Sequence, residues 1–231
     1  SRGTHVRSMI QIGADEEITT VVTLRKFSDD QYLFMTTASG TIKKVQTSEF
    51  ANAKGRGIIG LKLKDGDKLI SAIPTTGTSE VLLITRRGKA LRFSEDDVRP
   101  MGRASCGVKG MKLSEGDEIS GAVQVVEGES ILLMTEKGYG KRTEFDDFRL
   151  MLHRGGFGVT CHNLTDKTGM LAGIISVDDN DDVMMITDSG IIIRTPSSDV
   201  SVYSRTASGV IVMRLEKGQK IVNVTKTAKE E

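Results

Sequence analysis

"ILLMTEKGYGKRTEFDDF", residues 131–148, occurs in three further versions along this chain of 231 residues. The other copies are "YLFMTTASGTIKKVQTSEF" (32–50), "VLLITRRGKALRFSEDDV" (81–98) and "VMMITDSGIIIRTPSSDV" (183–200). Their shared glycines are Gly40, Gly88, Gly138 and Gly190, which are 48, 50 and 52 residues apart. A fixed period of this length indicates a repeat architecture, in which each unit is one supersecondary motif.

Several positions are common to all four copies. A threonine stands three residues before each glycine, and an apolar residue stands ten residues after it. Four residues after the glycine there is always a base: Lys44, Arg92, Arg142 and Arg194. A second motif follows each copy, centred on Gly57, Gly107, Gly158 and Gly209. Agreement at so many positions excludes coincidence.

Each unit contains four short β-like runs, which in the first unit cover roughly 31–38, 41–46, 57–64 and 68–75. Gly40 lies in a Ser-Gly turn between the first two runs, where a positive φ is expected. No run has the 3.6-residue periodicity of a helix over helical length. Four strands per unit are typical of a propeller blade, which buries both faces only against its neighbours. The sequence therefore predicts an all-β, propeller-like domain over residues 1–231.

The repeat also predicts the boundaries of the blades. Complete units are expected at 31–79, 80–129, 130–181 and 182–231. Residues 9–24, "MIQIGADEEITTVVTL", match the second half of a unit. We therefore expect residues 1–30 to form half of a further blade, in a chain cut from a longer protein.

Composition excludes several classes of protein. The chain has 32 Lys and Arg against 31 Asp and Glu, a formal net charge of +1, so a polyanion would have to bind a local patch. No apolar stretch approaches 18 residues and no signal peptide leads the chain, so a membrane span is not expected. The two cysteines, Cys106 and Cys161, cannot form a disulfide framework and fit a reducing cytosol.

The sequence predicts neither a metal nor a cofactor. His153, Cys161 and His162 lack the spacing of a zinc site. The "DDNDD" run at 178–182 has neither the glycine nor the glutamate of an EF-hand loop and is expected to connect two blades. The glycines between 55 and 60 lack the lysine of a phosphate-binding loop. A propeller hydrolase or lyase is disfavoured, because no His, Asp or Glu set recurs in the units.

Several long blocks resemble the C-terminal domain of the DNA gyrase A protein. They are "FMTTASGTIKKVQTSEF" (34–50), "GVKGMKLSEGDEISGAV" (107–123), "GYGKRTEFDDF" (138–148), "VMMITDSGIIIRTPSSDVS" (183–201) and "SGVIVMRL" (208–215). The resemblance covers essentially the whole chain. It implies a β-pinwheel, a propeller-like disc whose neighbouring blades exchange strands, with a basic rim that binds and bends double-stranded DNA.

The same resemblance implies a biological setting. In gyrase this domain wraps DNA and thereby supports ATP-dependent negative supercoiling by the whole enzyme. The implied partners are the rest of the gyrase A protein and the ATP-hydrolysing gyrase B protein, in a bacterial, cytoplasmic and nucleoid-associated enzyme. The catalytic tyrosine and the ATPase lie outside this domain in the family. None of Tyr32, Tyr139 and Tyr203 is therefore expected to be catalytic.

One departure from the family pattern affects the expected activity. The family's first blade carries a basic Gln-Arg-Arg-Gly-Gly-Lys-Gly box that full wrapping needs, and this chain has no intact copy. "HRGGFGV" at 153–159 is a partial echo, with Phe157 where the box has lysine. We therefore expect DNA binding and partial bending with incomplete wrapping. The C-terminal domain of the topoisomerase IV A protein is the alternative relative, since it too lacks an intact box.

The predicted DNA-binding residues are the repeated bases and their neighbours. Equivalent positions in successive blades are related by rotation, so the repeated bases are expected to line one perimeter. The candidates are Lys43, Lys44, Lys54, Arg56, Arg86, Arg87, Arg92, Arg103, Lys137, Tyr139, Lys141, Arg142, Arg154, Arg194 and Arg205. Such bases would neutralise phosphates irrespective of sequence.

Three alternatives stay open on sequence alone. The bases could merely solubilise exposed strands or pair with the carboxylates. The propeller could be a protein-interaction scaffold whose basic rim binds an acidic partner. Tyr139 could donate its hydroxyl to a phosphate or pack on the next blade.

Overall fold

The computed structural model describes residues 12–53 and 57–227 of the chain. Within them the regular elements are β-strands and short 3-10 helices, without an α-helix. The all-β prediction is confirmed. The strands form four sheets, one blade for each repeat.

Each unit begins with a hairpin that turns at the repeated glycine. Gly138, for example, has a φ of 85°, which a Cβ would strain. The hairpins are β1 (Tyr32–Thr37) with β2 (Thr41–Gln46), β4 (Glu80–Thr85) with β5 (Lys89–Ser94), β8 (Ser130–Thr135) with β9 (Tyr139–Glu144), and β13 (Asp182–Thr187) with β14 (Ile192–Pro196). A third strand then pairs with the free side of the first: β3 (Leu69–Thr75), β7 (Ile119–Gln124), β12 (Leu171–Val177) and β16 (Ile221–Thr227).

The fourth strand of a blade is supplied by the following unit. β6 (Val108–Lys109) pairs with β2, β11 (Val159–Thr160) with β5, and β15 (Val210–Ile211) with β9. β10 (Leu150–Met151) also joins β5, in parallel. We call residues 99–112, 149–163 and 201–214 the exchange segments. The strand exchange of a β-pinwheel is thus confirmed.

Two segments differ from the sequence prediction. Residues 57–64 contain no strand, because they are the first unit's equivalent of the exchange segments and no preceding blade is present among the described residues. Residues 12–30, which we expected to form half of a blade, also contain no strand. At the other end β14 belongs to a sheet of three strands, and no described residue pairs with its outer side.

The apolar core lies at the joints between blades. One cluster joins the first two blades through residues such as Phe34 and Leu83, and equivalent clusters occupy the second and third joints. The third strands of successive units pack against one another in a row: β3 on β7, β7 on β12, and β12 on β16. We call the opposite side of the blades, which carries the exchange segments, the outer edge.

Candidate nucleic-acid interface

The blades have two ends, and the candidate residues divide between them. The hairpin turns with their repeated glycines lie at one end, the turn side. The connections between units lie at the other end, the connection side, together with the short 3-10 helices at Thr47–Phe50, Glu95–Asp97, Phe145–Asp147 and Ser197–Asp199.

Three of the four repeated bases hold neighbouring blades together. Lys44 Nζ donates to the Glu95 carbonyl oxygen at 2.9 Å, and Arg92 Nη1 donates to that of Phe145 at 2.7 Å. Arg142 Nε donates to the Val200 carbonyl oxygen at 2.7 Å. Each acceptor lies in or next to the 3-10 helix of the following unit. The expected exposure on a rim is therefore wrong for these bases, since Lys44 and Arg142 are buried and Arg92 is largely buried.

Two further candidates are enclosed completely. Lys43 and Lys141 have 0% exposure. Lys141 Nζ donates to the carbonyl oxygens of Ser204 and Arg205, both at 2.8 Å. Lys43 Nζ donates to the carbonyl oxygens of Gly60, Arg103 and Ser105, of which Arg103 is the equivalent of Arg205. Burial lowers the pKa of Lys43 and lowers the pKa of Lys141 to about 8. Neither ammonium group can reach a phosphate, and both connect a blade to an exchange segment.

The arginines of the second motif form a chain along the outer edge. Arg103 Nη1 donates to the Ile59 carbonyl oxygen at 3.2 Å, Arg154 Nη1 to that of Lys109 at 2.6 Å, and Arg205 Nη1 to that of Thr160 at 3.0 Å. Each acceptor stands two residues after the second-motif glycine of the preceding unit. These side chains are half-buried. They lie on the outer edge as expected, but their donors already serve the joints.

The remaining candidates have diverse environments. Arg86 pairs with Glu118 and Glu136, and the hydrogen bond from Arg86 to Glu118 raises the pKa of Arg86. Arg87 and Lys137 are exposed in the hairpin turns. Tyr139 is half-buried opposite Ile211 of the next unit, so it does contact the neighbouring blade's strand. Arg194 is exposed, and Lys54 and Arg56 lie outside the described residues.

Sequence reasoning missed a group of basic residues, Lys and Arg, that lie on the outer edge near the turn side. They are Lys89, Lys109, Lys112, Lys167 and Arg214, and with Lys137 we call them the turn-side bases. Lys89 is half-buried and the others are exposed. None of the six lies within ion-pair distance of a described carboxylate.

Contacts locate these bases within the turn-side surface. Lys109 stands opposite Thr41 at the first hairpin turn, and Lys89 Nζ donates to Thr160 Oγ1 at 3.1 Å at the second. Lys137 and Arg214 line one concave surface at the joint of the third and fourth blades. The turn-side bases therefore extend across all three joints.

The opposite end of the blades is acidic. Exposed carboxylates of the connection side are Asp29, Asp30, Glu49, Asp96, Glu127, Asp146, Asp147, Asp179 and Asp199. Carboxylates also occur on the turn side, but several accept backbone N–H groups: Asp67 from Ser39, Asp117 from Arg87 and Asp188 from Lys220. Exposed carboxylates without an ion pair also lie on the turn side, at Asp65, Glu115, Asp166 and Glu216. On the connection side Glu49, Asp146 and Asp179 are ion-paired, so the separation of charge between the two ends is partial.

One sequence-level hint of a metal site is buried in the second joint. Cys161 and His162 are enclosed there, and burial raises the pKa of the Cys161 thiol to about 12. Neither ring nitrogen of His162 has a hydrogen-bond partner among the described residues, and burial lowers the pKa of His162 to about 4. The described residues contain no group of three His, Cys, Asp or Glu side chains placed to bind a metal. They also contain no helix long and apolar enough to span a membrane.

Comparison with known proteins gives consistent matches. The sequence profile of the family described as DNA gyrase C-terminal domain, beta-propeller, matches residues 31–76, 79–125, 129–178 and 181–228. The DNA gyrase A protein of Treponema pallidum is 54% identical over 225 residues, which are 97% of this chain and 28% of that protein. The DNA gyrase A protein of Clostridium acetobutylicum is 43% identical over 231 residues, 100% of this chain and 28% of that protein. The chain spans little more than a quarter of these relatives.

Solved structures show the same arrangement of blades. A DNA gyrase A C-terminal domain has a TM-score of 0.89 to this chain at 32% identity, covering 98% of this chain and 75% of that one. The C-terminal domain of a DNA topoisomerase IV also has a TM-score of 0.89, at 28% identity, covering 98% of this chain and 71% of the other.

Proposed function

Because this chain belongs to the DNA gyrase A C-terminal domain family, we propose that it binds duplex DNA along the turn side of its outer edge. The observation that carries this proposal is the group of six turn-side bases, which extends across the three joints on the outer edge. The turn-side bases have no partner among the described carboxylates, whereas the connection side presents a series of exposed carboxylates that would repel a phosphate backbone.

The expected phosphate contacts are independent of sequence. Lysine and arginine side chains would neutralise phosphates and release counterions, so the logarithm of affinity should fall linearly with the logarithm of salt concentration. The described part of the fold offers no helix to enter a major groove, and bases on a curved series of blades suit contacts to the backbone. The bases that hold the joints stay out of this interface.

Bending follows if one duplex contacts several blades. The turn-side bases occur at each of the three joints, so a duplex that reaches all of them must follow the curve of the edge. Bending a short duplex costs about 1–6 kcal/mol, which contacts at the distant joints must offset. In the whole enzyme, together with the rest of the gyrase A protein and with the gyrase B protein, such bending would support ATP-dependent negative supercoiling.

Three substitutions, two on the turn side and one control on the connection side, test the position of the interface. Lys109→Ala and Lys112→Ala each remove an unpaired base from the turn side, and each should lower the salt slope by about one unit. Arg149→Ala removes an equally exposed arginine from the connection side of the third unit and should leave the slope unchanged. DNA-binding titrations over a series of salt concentrations measure these slopes. Equal losses in all three variants would disprove the proposed location.

Energy transfer between dyes at the two ends of a duplex tests the bend. Transfer at saturation should rise with duplex length, once the DNA is long enough to reach a second and a third joint. Transfer that stays at the value of free DNA would make the chain a DNA-binding protein that does not bend its ligand.

A further inference from the structure

The most exposed aromatic ring of the outer edge lies among the turn-side bases. Phe157, in the exchange segment of the third unit, is 52% exposed. The Lys112 ammonium lies 4.6 Å from the centroid of its ring. The equivalent residues of the second and fourth units, each directly before the second-motif glycine, are Cys106 and Ser208. The third unit alone of these three presents a large apolar side chain here.

The loop that carries Phe157 is held firmly on both sides. Arg154, just before the loop, is fixed by two hydrogen bonds. Its backbone N–H donates to Asp97 Oδ2 at 2.9 Å, and its Nη1 donates to the Lys109 carbonyl oxygen at 2.6 Å. On the loop itself Gly155 N–H donates to the Gly110 carbonyl oxygen at 2.7 Å, and the Gly156 carbonyl oxygen accepts from Lys112 N–H at 2.8 Å. The aromatic ring is therefore presented by an ordered backbone.

Gly158 fixes the direction of the loop after the ring. Its φ is 72°, and a Cβ there would clash with the Ala90 carbonyl oxygen. The chain thus descends onto β5 directly behind Phe157, which leaves the ring standing on the surface. An ordered backbone thus holds an apolar ring at a fixed position beside a basic side chain.

From this geometry we propose that Phe157 is a wedge that inserts between base pairs from the minor groove and kinks the bound duplex at the second blade. This proposal rests on the proposed DNA binding and adds to it one point of sharp deformation. Architectural proteins kink DNA with rigid apolar side chains that are flanked by basic residues. Partial unstacking of the duplex is least costly at pyrimidine–purine steps. Lys109 and Lys112 are the basic residues that flank Phe157. A protein partner with an acidic, apolar surface is the competing occupant, and the test below separates the two.

Two repeating duplexes of equal length and equal base composition provide the probe. A CA/TG repeat contains a pyrimidine–purine step in every second position, and a GA/TC repeat contains none. The wild-type chain should bind the CA/TG duplex about fivefold more tightly and bring its labelled ends closer together. Phe157→Ala should lose this preference and part of the energy transfer, with the salt slope unchanged. Phe157→Leu, which keeps an apolar wedge, should retain most of both.

Leu152→Ala is the matched control. Leu152 belongs to the same exchange segment and is 89% exposed, but it lies beyond Met151 toward the connection side, away from the turn-side bases. It should behave as the wild type.

Three outcomes would overturn the wedge while leaving DNA binding intact. They are a wild-type chain that binds both duplexes equally, a Phe157→Ala variant that matches the wild type, and a Leu152→Ala variant that loses as much as Phe157→Ala. If the Phe157→Ala variant matches the wild type on DNA, the ring does not insert into the duplex, and a protein surface is left as the competing occupant. A wild-type chain that binds neither duplex would disprove the proposed function itself.

Discussion

Arg142 in the third blade and Arg194 in the fourth blade occupy the same position of the repeat, yet their surroundings differ. The Arg142 side chain is 10% exposed, donates to the Val200 carbonyl oxygen and pairs with Asp179. The Arg194 side chain is 46% exposed and pairs with Asp182 of its own hairpin. The difference is the following unit, which covers the outer side of β9 but has no counterpart on β14 among the described residues.

The comparison shows that a recurring residue in an exchanged-strand fold has two possible roles. Between two blades a basic residue donates hydrogen bonds to carbonyl oxygens of the next unit and is buried. On the last blade the same base remains available to a ligand. The role is assigned by the neighbour, since the local sequence is nearly the same in both cases.

The largest difference between the two blades is expected for alanine at the hairpin glycine. Gly138 and Gly190 have φ values of 85° and 82°, so either substitution should cost about 1 kcal/mol in backbone strain. A Cβ at Gly138 would clash with the Met213 carbonyl oxygen, whereas one at Gly190 would meet no described atom within 4 Å. Gly138→Ala should therefore lower the free energy of unfolding by about 3–5 kcal/mol, and Gly190→Ala by about 1 kcal/mol. Unfolding in urea measures both losses. Equal losses would contradict the role of the following unit.

The buried lysine of the third blade predicts a pH dependence. Its folded pKa of about 8 lies below the ordinary value of 10.5, so the unfolded chain binds the extra proton between these values. Relative to Lys141→Met, the wild type should gain about 3 kcal/mol of stability as the pH increases from 8 to 10.5. The Cys161 thiol, whose pKa is raised to about 12, lowers the stability of both chains above about pH 9 and is therefore removed by this comparison.

The equivalent residue of the last blade supplies the control for Lys141. Ile193 is already partly exposed on β14, so Ile193→Lys should change stability by less than about 0.5 kcal/mol and add no rise with pH. Unfolding in denaturant at a series of pH values measures both variants. A similar rise in the Lys141→Met variant would show that another group titrates.

Removing the repeated arginine should again affect the two blades differently. Arg142→Ala leaves the Val200 carbonyl oxygen buried without its donor and should lower stability by about 2–3 kcal/mol. Arg194→Ala should cost less, about 0.5–1 kcal/mol, because the Arg194 side chain is about half exposed, although its partner Asp182 is largely buried. The two variants change the same position of the repeat. Denaturant unfolding measures both losses, and the midpoints can be compared directly if the free energy of unfolding depends equally steeply on denaturant concentration in both variants.

A smaller effect distinguishes two joints that are both covered. His162 in the second joint stands where the third joint has Met213 and the first has Met111. Because its folded pKa of about 4 lies below 6.5, the wild type should lose about 2 kcal/mol of stability as the pH falls from about 7 to about 5. His162→Met should abolish this loss and should be at least as stable at neutral pH, since no hydrogen bond of the ring to a described residue is removed. A Met variant that keeps the acid sensitivity would contradict this assignment.

The sequence predicts the blades well because hairpins are local. Gly40 and its equivalents mark the turns, and the apolar runs on either side become β-strands at the expected places. Strand exchange is harder to derive from the residues, because a strictly periodic pattern is identical whether Val108 pairs in its own blade or in the preceding one. Only the resemblance to a known family indicated it.

The candidate site was predicted less well, and the reason is physical. Recurrence at equivalent positions selected Lys44, Arg92 and Arg142, but a contact between units recurs just as regularly as a ligand site. At the positions of Lys89 and Lys109 the other units have no basic residue, so an argument from recurrence does not select these two lysines. A weak signal did exist, since Lys62, Lys112 and Arg214 all stand five residues after a second-motif glycine.

Strand exchange also has a consequence for synthesis on the ribosome. The partner of Thr41 in β2 is Lys109, which is 68 residues further along the chain. At about 5–20 residues per second a blade's hairpin waits roughly 3 to 14 s before its last strand is translated. During that interval the newest blade presents an open edge to other nascent chains. Each of the first three blades is completed by its successor, so the growing polypeptide carries one unprotected edge that moves along with elongation.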